Sequence, residues 1–202
     1  MRYVILIFTI VMSQFLKAEE YVVGDEFTWI NRDGSSAKNT DSMKSISGFG
    51  GWLVVTPDLD WWDKWNTPSD HVPYFSEAKE VSLGQKLTIL TFYGNPLPDE
   101  KGVINISCNI RVARPDGADS VNQKNIPCAT GELLGERLHV YLSQAVIEYV
   151  GEPADPSGEW VVEVTLKDNV AGIVIPLKTS FVLLKDKASK SSKRDAVTGA
   201  PS

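Results

Sequence analysis

Only two cysteines, two histidines and three methionines occur in the 202 residues. Two cysteines without C-x-x-C spacing argue against a catalytic redox pair, and with only His71 and His139 to assist they are too few for a structural zinc site. The chain has no G-x-S-x-G elbow, no H-E-x-x-H and no phosphate-binding glycine loop. No nucleophile stands beside either histidine in the sequence, and the many Asp and Glu residues single out no glycosidase dyad. These absences predict a non-enzyme that needs no cofactor and no metal. No long segment repeats its apolar residues with helical period, which leaves strands as the main building material.

The longest apolar run, Val4–Met12, is interrupted only by Thr9 and is too short to span a bilayer as a helix. It follows Arg2 and leads into the shorter, more polar stretch Ser13–Ala18, the order of a secretory signal peptide over residues 1–18. Cleavage after Ala18 is expected, with no integral membrane segment thereafter. No cysteine near the cut supports a lipid anchor. The expected destination is the periplasm or the extracellular medium, where thiols oxidise.

Charge narrows the partners. The chain holds 20 basic and 26 acidic residues. Removing Arg2 and Lys17 with the leader makes the net charge −8. The segment Lys185–Ser202 carries five basic residues against Asp186 and Asp195, so residues 19–184 hold −11. A body this acidic repels phosphate backbones and excludes nucleic acid as an expected partner. Residues 185–202 are polar without apolar periodicity and read as a disordered basic tail.

Several segments have clear strand character. Phe49–Thr56 reads as a strand with a glycine bend at its start, after a loop over Asn31–Ser47. A first strand is expected within Tyr21–Ile30 and a strong one over Val81–Tyr93. Between Val103 and Val112, residues Ile104, Ile106, Cys108, Ile110 and Val112 share one face and Asn105, Ser107, Asn109 and Arg111 the other, a half-buried strand with Cys108 inward. Pro115-Asp116-Gly117 then makes a turn. A register placing Cys108 opposite Cys128 would centre at residue 118, so a structural disulfide stapling this hairpin is expected. Strand signals weaken after Val121, with short candidates at Asn125–Cys128, Arg137–Leu142 and Ala145–Val150. His139 is expected on the outer face of a strand.

The clearest pattern lies near the end. Trp160, Val162, Val164 and Leu166 alternate inward, a turn follows at Asp168–Gly172, and Ile173, Ile175, Leu177, Thr179, Phe181 and Leu183 alternate again. This predicts an antiparallel hairpin with one buried face. Pro176 belongs at an edge or bulge because it has no N–H. The stretch Gly158–Asp168, with its glycine turn, inward tryptophan, alternating valines and closing aspartate, resembles the penultimate strand of immunoglobulin-like and fibronectin-III-like domains. That resemblance covers Leu83–Leu184 at most, and the antibody Cys–Trp–Cys pattern is missing. It implies an all-β, immunoglobulin-like antiparallel β-sandwich over residues 81–184, preceded by N-terminal strands, a loop and a Trp-rich segment over 19–80.

The most unusual stretch is Pro57–Phe75. Asp58 is placed to cap a short helix on which Trp61 and Trp65 share a face, and Trp62, His71, Tyr74 and Phe75 complete an aromatic group. Two readings are open. The group is a binding surface, or it is a plug that lays Trp61 and Trp65 over the open end of the sandwich. Asp58, Asp60 and Asp63 lack the glycine bend of a calcium loop and read as solvated caps. The acids at 152–159 and Asp168 read as ordinary turn residues. The expected function is a non-catalytic exported module that binds an envelope or extracellular protein through residues 61–75 or by strand addition at a sheet edge. The main alternative is a carbohydrate-binding module that stacks a polysaccharide on Trp61, Trp62, Trp65 and Tyr74. A hydrolase with a carboxylate pair split in sequence and a chaperone for pilus-like subunits are weaker alternatives.

Overall fold

A computed structural model describes residues 27–31, 33–68 and 73–185. The signal peptide expected at 1–18, the larger part of the strand expected at 21–30, His71 and all of the expected basic tail except Lys185 lie outside the described residues. Two five-stranded sheets pack face to face. The first is ordered β1 (Met43–Ile46), β2 (Phe49–Thr56), β4 (Lys86–Gly94) and β7 (Val140–Leu142), with β8 (Ile147–Val150) also on β4. The second runs β3 (Glu80–Ser82), β10 (Ile173–Leu184), β9 (Gly158–Asp168), β5 (Val103–Ala113) and β6 (Asp119–Glu132). The chain passes from β4 to the β5–β6 hairpin in the other sheet, returns to β7 and β8, and crosses again to the β9–β10 hairpin. This is the Greek-key sandwich of the immunoglobulin-like class. Among the described residues one helix, α1 (Trp61–Asn66), interrupts the strands. Among the described residues no helix is long and apolar enough to cross a membrane.

The core follows the alternating pattern. Ile104, Ile106, Cys108, Ile110 and Val112 of β5 are buried, as are Trp160, Val162, Val164 and Leu166 of β9 and Ile175, Leu177, Phe181 and Leu183 of β10. They meet Leu53, Val55, Leu87, Ile89 and Tyr93 from the first sheet. Trp160 is fully buried, its ring 4.9 Å from that of Tyr149, and its Nε1 donates to the Pro156 carbonyl at 3.2 Å. Pro176 lies where the far side of β10 has no strand partner, since β3 pairs only with Val182–Leu184. Its neighbour Lys178 donates its N–H to the Asp41 carbonyl on that side.

Several elements depart from the sequence expectation, each for a local reason. The strand expected over Val81–Tyr93 is two strands in different sheets. A turn at Leu83–Gln85, with Gly84 at φ +76°, carries the chain from β3 to β4. Alternation continues across the break, because Val81 and Leu87 both face the core from opposite sheets. The loop expected over 31–47 contains β1, whose outer edge is closed by side chains: Asn39 accepts the Ser45 N–H and donates to its carbonyl, and the Trp29 indole donates to the Lys44 carbonyl. The described part of the expected first strand makes only an isolated bridge, Ile30 to Ser36. The weakly patterned stretch after Val121 belongs to the fourteen-residue β6, an edge strand exposed along most of its length and therefore without an apolar period. β7 and β8 are halves of one strand broken at Ser143–Val146, where Gln144 donates its N–H to the Cys128 carbonyl of the opposite sheet. His139 sits in the turn before β7, exposed and 3.8 Å from Glu136, not on a strand face.

Cys108 and Cys128 form the expected disulfide across β5 and β6, with Cα atoms 5.8 Å apart. The register differs from expectation. Cys108 pairs with Ile126, and Cys128 is the extra residue of a bulge between Pro127 and Ala129. A second irregularity at Asn125, φ +51°, moves the hairpin centre from the Pro115–Gly117 turn toward the bulge. Asn109 stabilises it by accepting the Asn125 N–H at 2.8 Å.

Candidate functional site

The Trp-rich segment is organised by the strand before it. β2 and β4 carry apolar residues on both faces. Leu53, Val55, Leu87 and Ile89 face the other sheet, while Trp52, Val54, Leu90 and Phe92 face outward. A strand apolar at both parities needs cover on both sides. The outer cover comes from Phe27, Trp29 and Phe75, all buried, and from the half-buried Trp61 and Trp65. Phe92 is the hub, its ring 5.1 Å from Trp52, 5.2 Å from Trp65 and 5.4 Å from Phe75. The segment is therefore a third layer on the outer face of the first sheet, not a plug at the open end of the sandwich. The doubled apolar pattern of Leu87–Tyr93 was the sequence signal for it.

α1 is held in place by a polar clasp. Thr56 Oγ1 accepts the Asp58 N–H at 3.1 Å, and the Asp58 carbonyl accepts the Trp61 N–H. Asp60, not Asp58, occupies the cap position, and its side chain makes no capping bond. Asp58 instead clasps two parts of the segment. Its Oδ2 accepts Lys64 Nζ at 2.8 Å and the Ser76 N–H at 2.9 Å. Burial works against its ionisation, but the hydrogen bonds from Lys64 and Ser76 outweigh it and hold the carboxyl below its usual value. Asp60 also engages Lys64, at 3.2 Å. The Lys64 charge is thus shared by Asp58 and Asp60, which leaves neither arranged as a cation ligand.

Of the six residues singled out in this region, His71 lies outside the described residues and the other five have different environments. Trp61 and Trp65 are half-buried against the outer layer. Phe75 is 2% exposed and packs on Phe92, so it is a layer residue and not a contact surface. Trp62 is 57% exposed and Tyr74 67%. Leu59, which the sequence reading did not single out, is 79% exposed. Trp62, Asp63 and Asn66 form the solvent face of α1, opposite the half-buried Trp61 and Trp65, and Leu59 is exposed in the turn before the helix. The Trp61 and Trp62 rings stand at 82° to one another, 5.5 Å between centroids.

Other surface features offer less. A shallow depression on the outer face of the second sheet is lined by Arg111, Arg114, Glu159, Glu163 and Lys178 among others. Its charges largely serve one another: Arg111 bonds Asp119 at 2.7 Å and Glu163 at 3.1 Å, and Lys178 lies 3.5 Å from Glu163. Asp168, fully buried, accepts the N–H groups of Leu97, Val170 and Ala171 and closes the β9–β10 turn. Asp155 accepts the Glu152 N–H and the Tyr149 hydroxyl. Among the described residues no group of three or more His, Cys, Asp or Glu side chains is arranged to hold a metal ion.

No family model matches the sequence, and no characterised protein matches it by sequence. Solved structures show remote likeness, among them the following two. One is a family 123 glycoside hydrolase from Clostridium perfringens, described for glycolipid glycan hydrolysis. It aligns over 67% of this chain and 27% of its own, at 10% identity and a TM-score of 0.36. The chain thus spans about a quarter of that enzyme's length. The other is a Niemann-Pick type C2 protein from the Japanese carpenter ant, aligned over 65% of this chain and 89% of its own, at 6% identity and a TM-score of 0.31. At these scores neither likeness bears on ligand or chemistry.

Proposed function

We propose that this protein is a non-catalytic interaction module of the bacterial envelope or extracellular space, and that it docks a protein partner through Trp62 and Leu59. The observation that carries this reading is the division of labour on α1. Trp61 and Trp65 are committed to packing on the first sheet, whereas Trp62 and Leu59, one turn apart, are left in solvent. Large exposed apolar side chains on a fixed scaffold are the kind that anchor interfaces. The disulfide is consistent with an exported chain.

Two rival readings have less support. A flat sugar-stacking platform on Trp61, Trp62, Trp65 and Tyr74 is disfavoured by the perpendicular Trp61 and Trp62 rings and by the half-burial of Trp61 and Trp65. A hydrolase would need two carboxylates several ångströms apart across a cleft. Glu159 and Glu163 line one depression, but they are four residues apart along β9, roughly 13 Å at strand rise. Strand addition is the second docking mode, and β6 is the longest strand edge. Pro127, the Cys128 bulge and the left-handed Asn125 interrupt it, the devices by which edges are protected from pairing.

The test is capture from envelope and secreted extracts with tagged protein, comparing wild type, Trp62→Ala and Trp65→Ala. A partner retained by wild type and lost with Trp62→Ala, while the variant keeps wild-type stability, supports the reading. A partner retained equally by Trp62→Ala, or enrichment of polysaccharide without protein, overturns it.

A further inference from the structure

Resting on the docking reading above, we infer that the segment of the partner that meets Trp62 is cationic: an arginine or lysine flanked by apolar residues. Three aspartates surround the tryptophans, but they are not equivalent. Asp58 and Asp60 both bond Lys64, so these three groups largely satisfy one another. Asp63 is exposed, and among the described residues no ion pair or hydrogen bond engages its carboxylate. Within α1, Trp62, Asp63 and Asn66 fall inside an arc of about 100° at about 100° per residue, and Leu59 is exposed in the turn that leads into the helix. The exposed face of α1 therefore offers an aromatic ring and a carboxylate without a partner among the described residues, and the turn before it offers an exposed apolar side chain. Asn66 donates to the Trp62 carbonyl and steadies the helix end beneath them.

This combination matches one chemistry better than others. A guanidinium or ammonium group gains from the face of an indole and from a neighbouring carboxylate together, and the apolar stem of the same side chain covers Leu59. An acidic segment would meet Asp63 and a body carrying −11 over residues 19–184. A neutral apolar segment would leave the Asp63 carboxylate beside the contact without a counter-charge. The body's negative charge also steers a basic segment toward this surface at low ionic strength.

The experiment uses two short peptides with the whole protein: a Leu-Arg-Leu core and the same peptide with Gln in place of Arg. Binding is read from Trp fluorescence and from chemical shifts of the indole N–H groups. The Arg peptide is expected to shift the Trp62 indole and to bind at least about threefold tighter than the Gln peptide. Asp63→Asn should lower its affinity by about threefold, and raising salt from about 0.05 M to about 0.5 M should weaken it similarly. Asp60→Asn, which alters a carboxylate already paired with Lys64, should have the smaller effect. Equal binding of the two peptides, binding by neither, or indifference to Asp63→Asn and salt overturns the inference. Trp62-dependent capture of an extract partner that ignores Asp63→Asn would overturn this inference alone and leave the docking reading standing. Loss of Trp62 dependence would remove both.

Discussion

Gly50 of β2 and Gly94 of β4 are direct cross-strand partners, and the Phe27 ring occupies the space their missing side chains leave on the outer face of the first sheet. A Cβ at either position would fall inside van der Waals contact of that ring. Neither glycine has a positive φ, so the constraint is steric and comes from Phe27, not from backbone conformation. Gly94→Ala should cost about 1–3 kcal/mol by overpacking. In a Phe27→Ala background the same change should cost distinctly less, because the ring it collides with is gone. Urea denaturation of the four proteins in this cycle measures the coupling.

The outer layer also explains what could and could not be read from the chain. Strands with one buried face announce themselves by period two, so β5, β9 and β10 were legible, with Ile173 and Thr179 the two expected inward residues of β10 that are only partly buried. β6 was not, because an edge strand with bulges at Asn125 and Cys128 buries little and loses its period. The strand expected over Val81–Tyr93 is two strands because a change of sheet at Gly84 leaves alternation undisturbed. The disulfide was legible from the expected export and from the parity of Cys108, but its register was not, since bulges leave no mark in a hydrophobic pattern. At the candidate site, the pairing of Trp61 with Trp65 followed from i,i+4 spacing. That the pair covers a sheet face, and that Phe75 joins it, depends on Phe92, seventeen residues further along.

Removing the staple should be costly. Cys108 and Cys128 are twenty residues apart, and closing a loop of this size constrains the unfolded chain by about 3 kcal/mol. The Cys108→Ala/Cys128→Ala double variant should unfold at clearly lower denaturant concentration with an altered m-value, since its unfolded state is no longer cross-linked. An unchanged midpoint would contradict the stabilising role.

Acid should loosen the clasp beneath α1. The Asp58 carboxyl titrates below its ordinary value of 3.8 in the folded protein because Lys64 and Ser76 bond its ionised form. A depressed carboxyl contributes stability that is fully present well above 3.8 and is lost as pH falls through the folded value. Asp99 and Asp119 are lowered as well, by hydrogen bonds from Val103 and Lys101 and from Asn122 and Arg111, so total acid sensitivity does not isolate Asp58. The difference between wild type and Asp58→Asn does. Asp58→Asn should be less stable at neutral pH by about 1 kcal/mol or more, with the gap closing below pH 3.8. A gap independent of pH would contradict the clasp.

The two exposures on α1 should separate in stability. Trp65→Ala removes a ring that packs 5.2 Å from Phe92 and should cost about 1–3 kcal/mol. Trp62→Ala removes a side chain 57% exposed and should cost less than about 1 kcal/mol. Thermal and chemical unfolding of the two variants side by side checks both values.

The most direct measurement is partner capture by wild type and by Trp62→Ala at matched, verified stability. The expected result is a single protein retained by wild type and absent with Trp62→Ala. Retention of that protein by both, or capture of none by the wild type, would contradict a docking role for this surface and leave the aromatic segment as the outer layer of the first sheet alone.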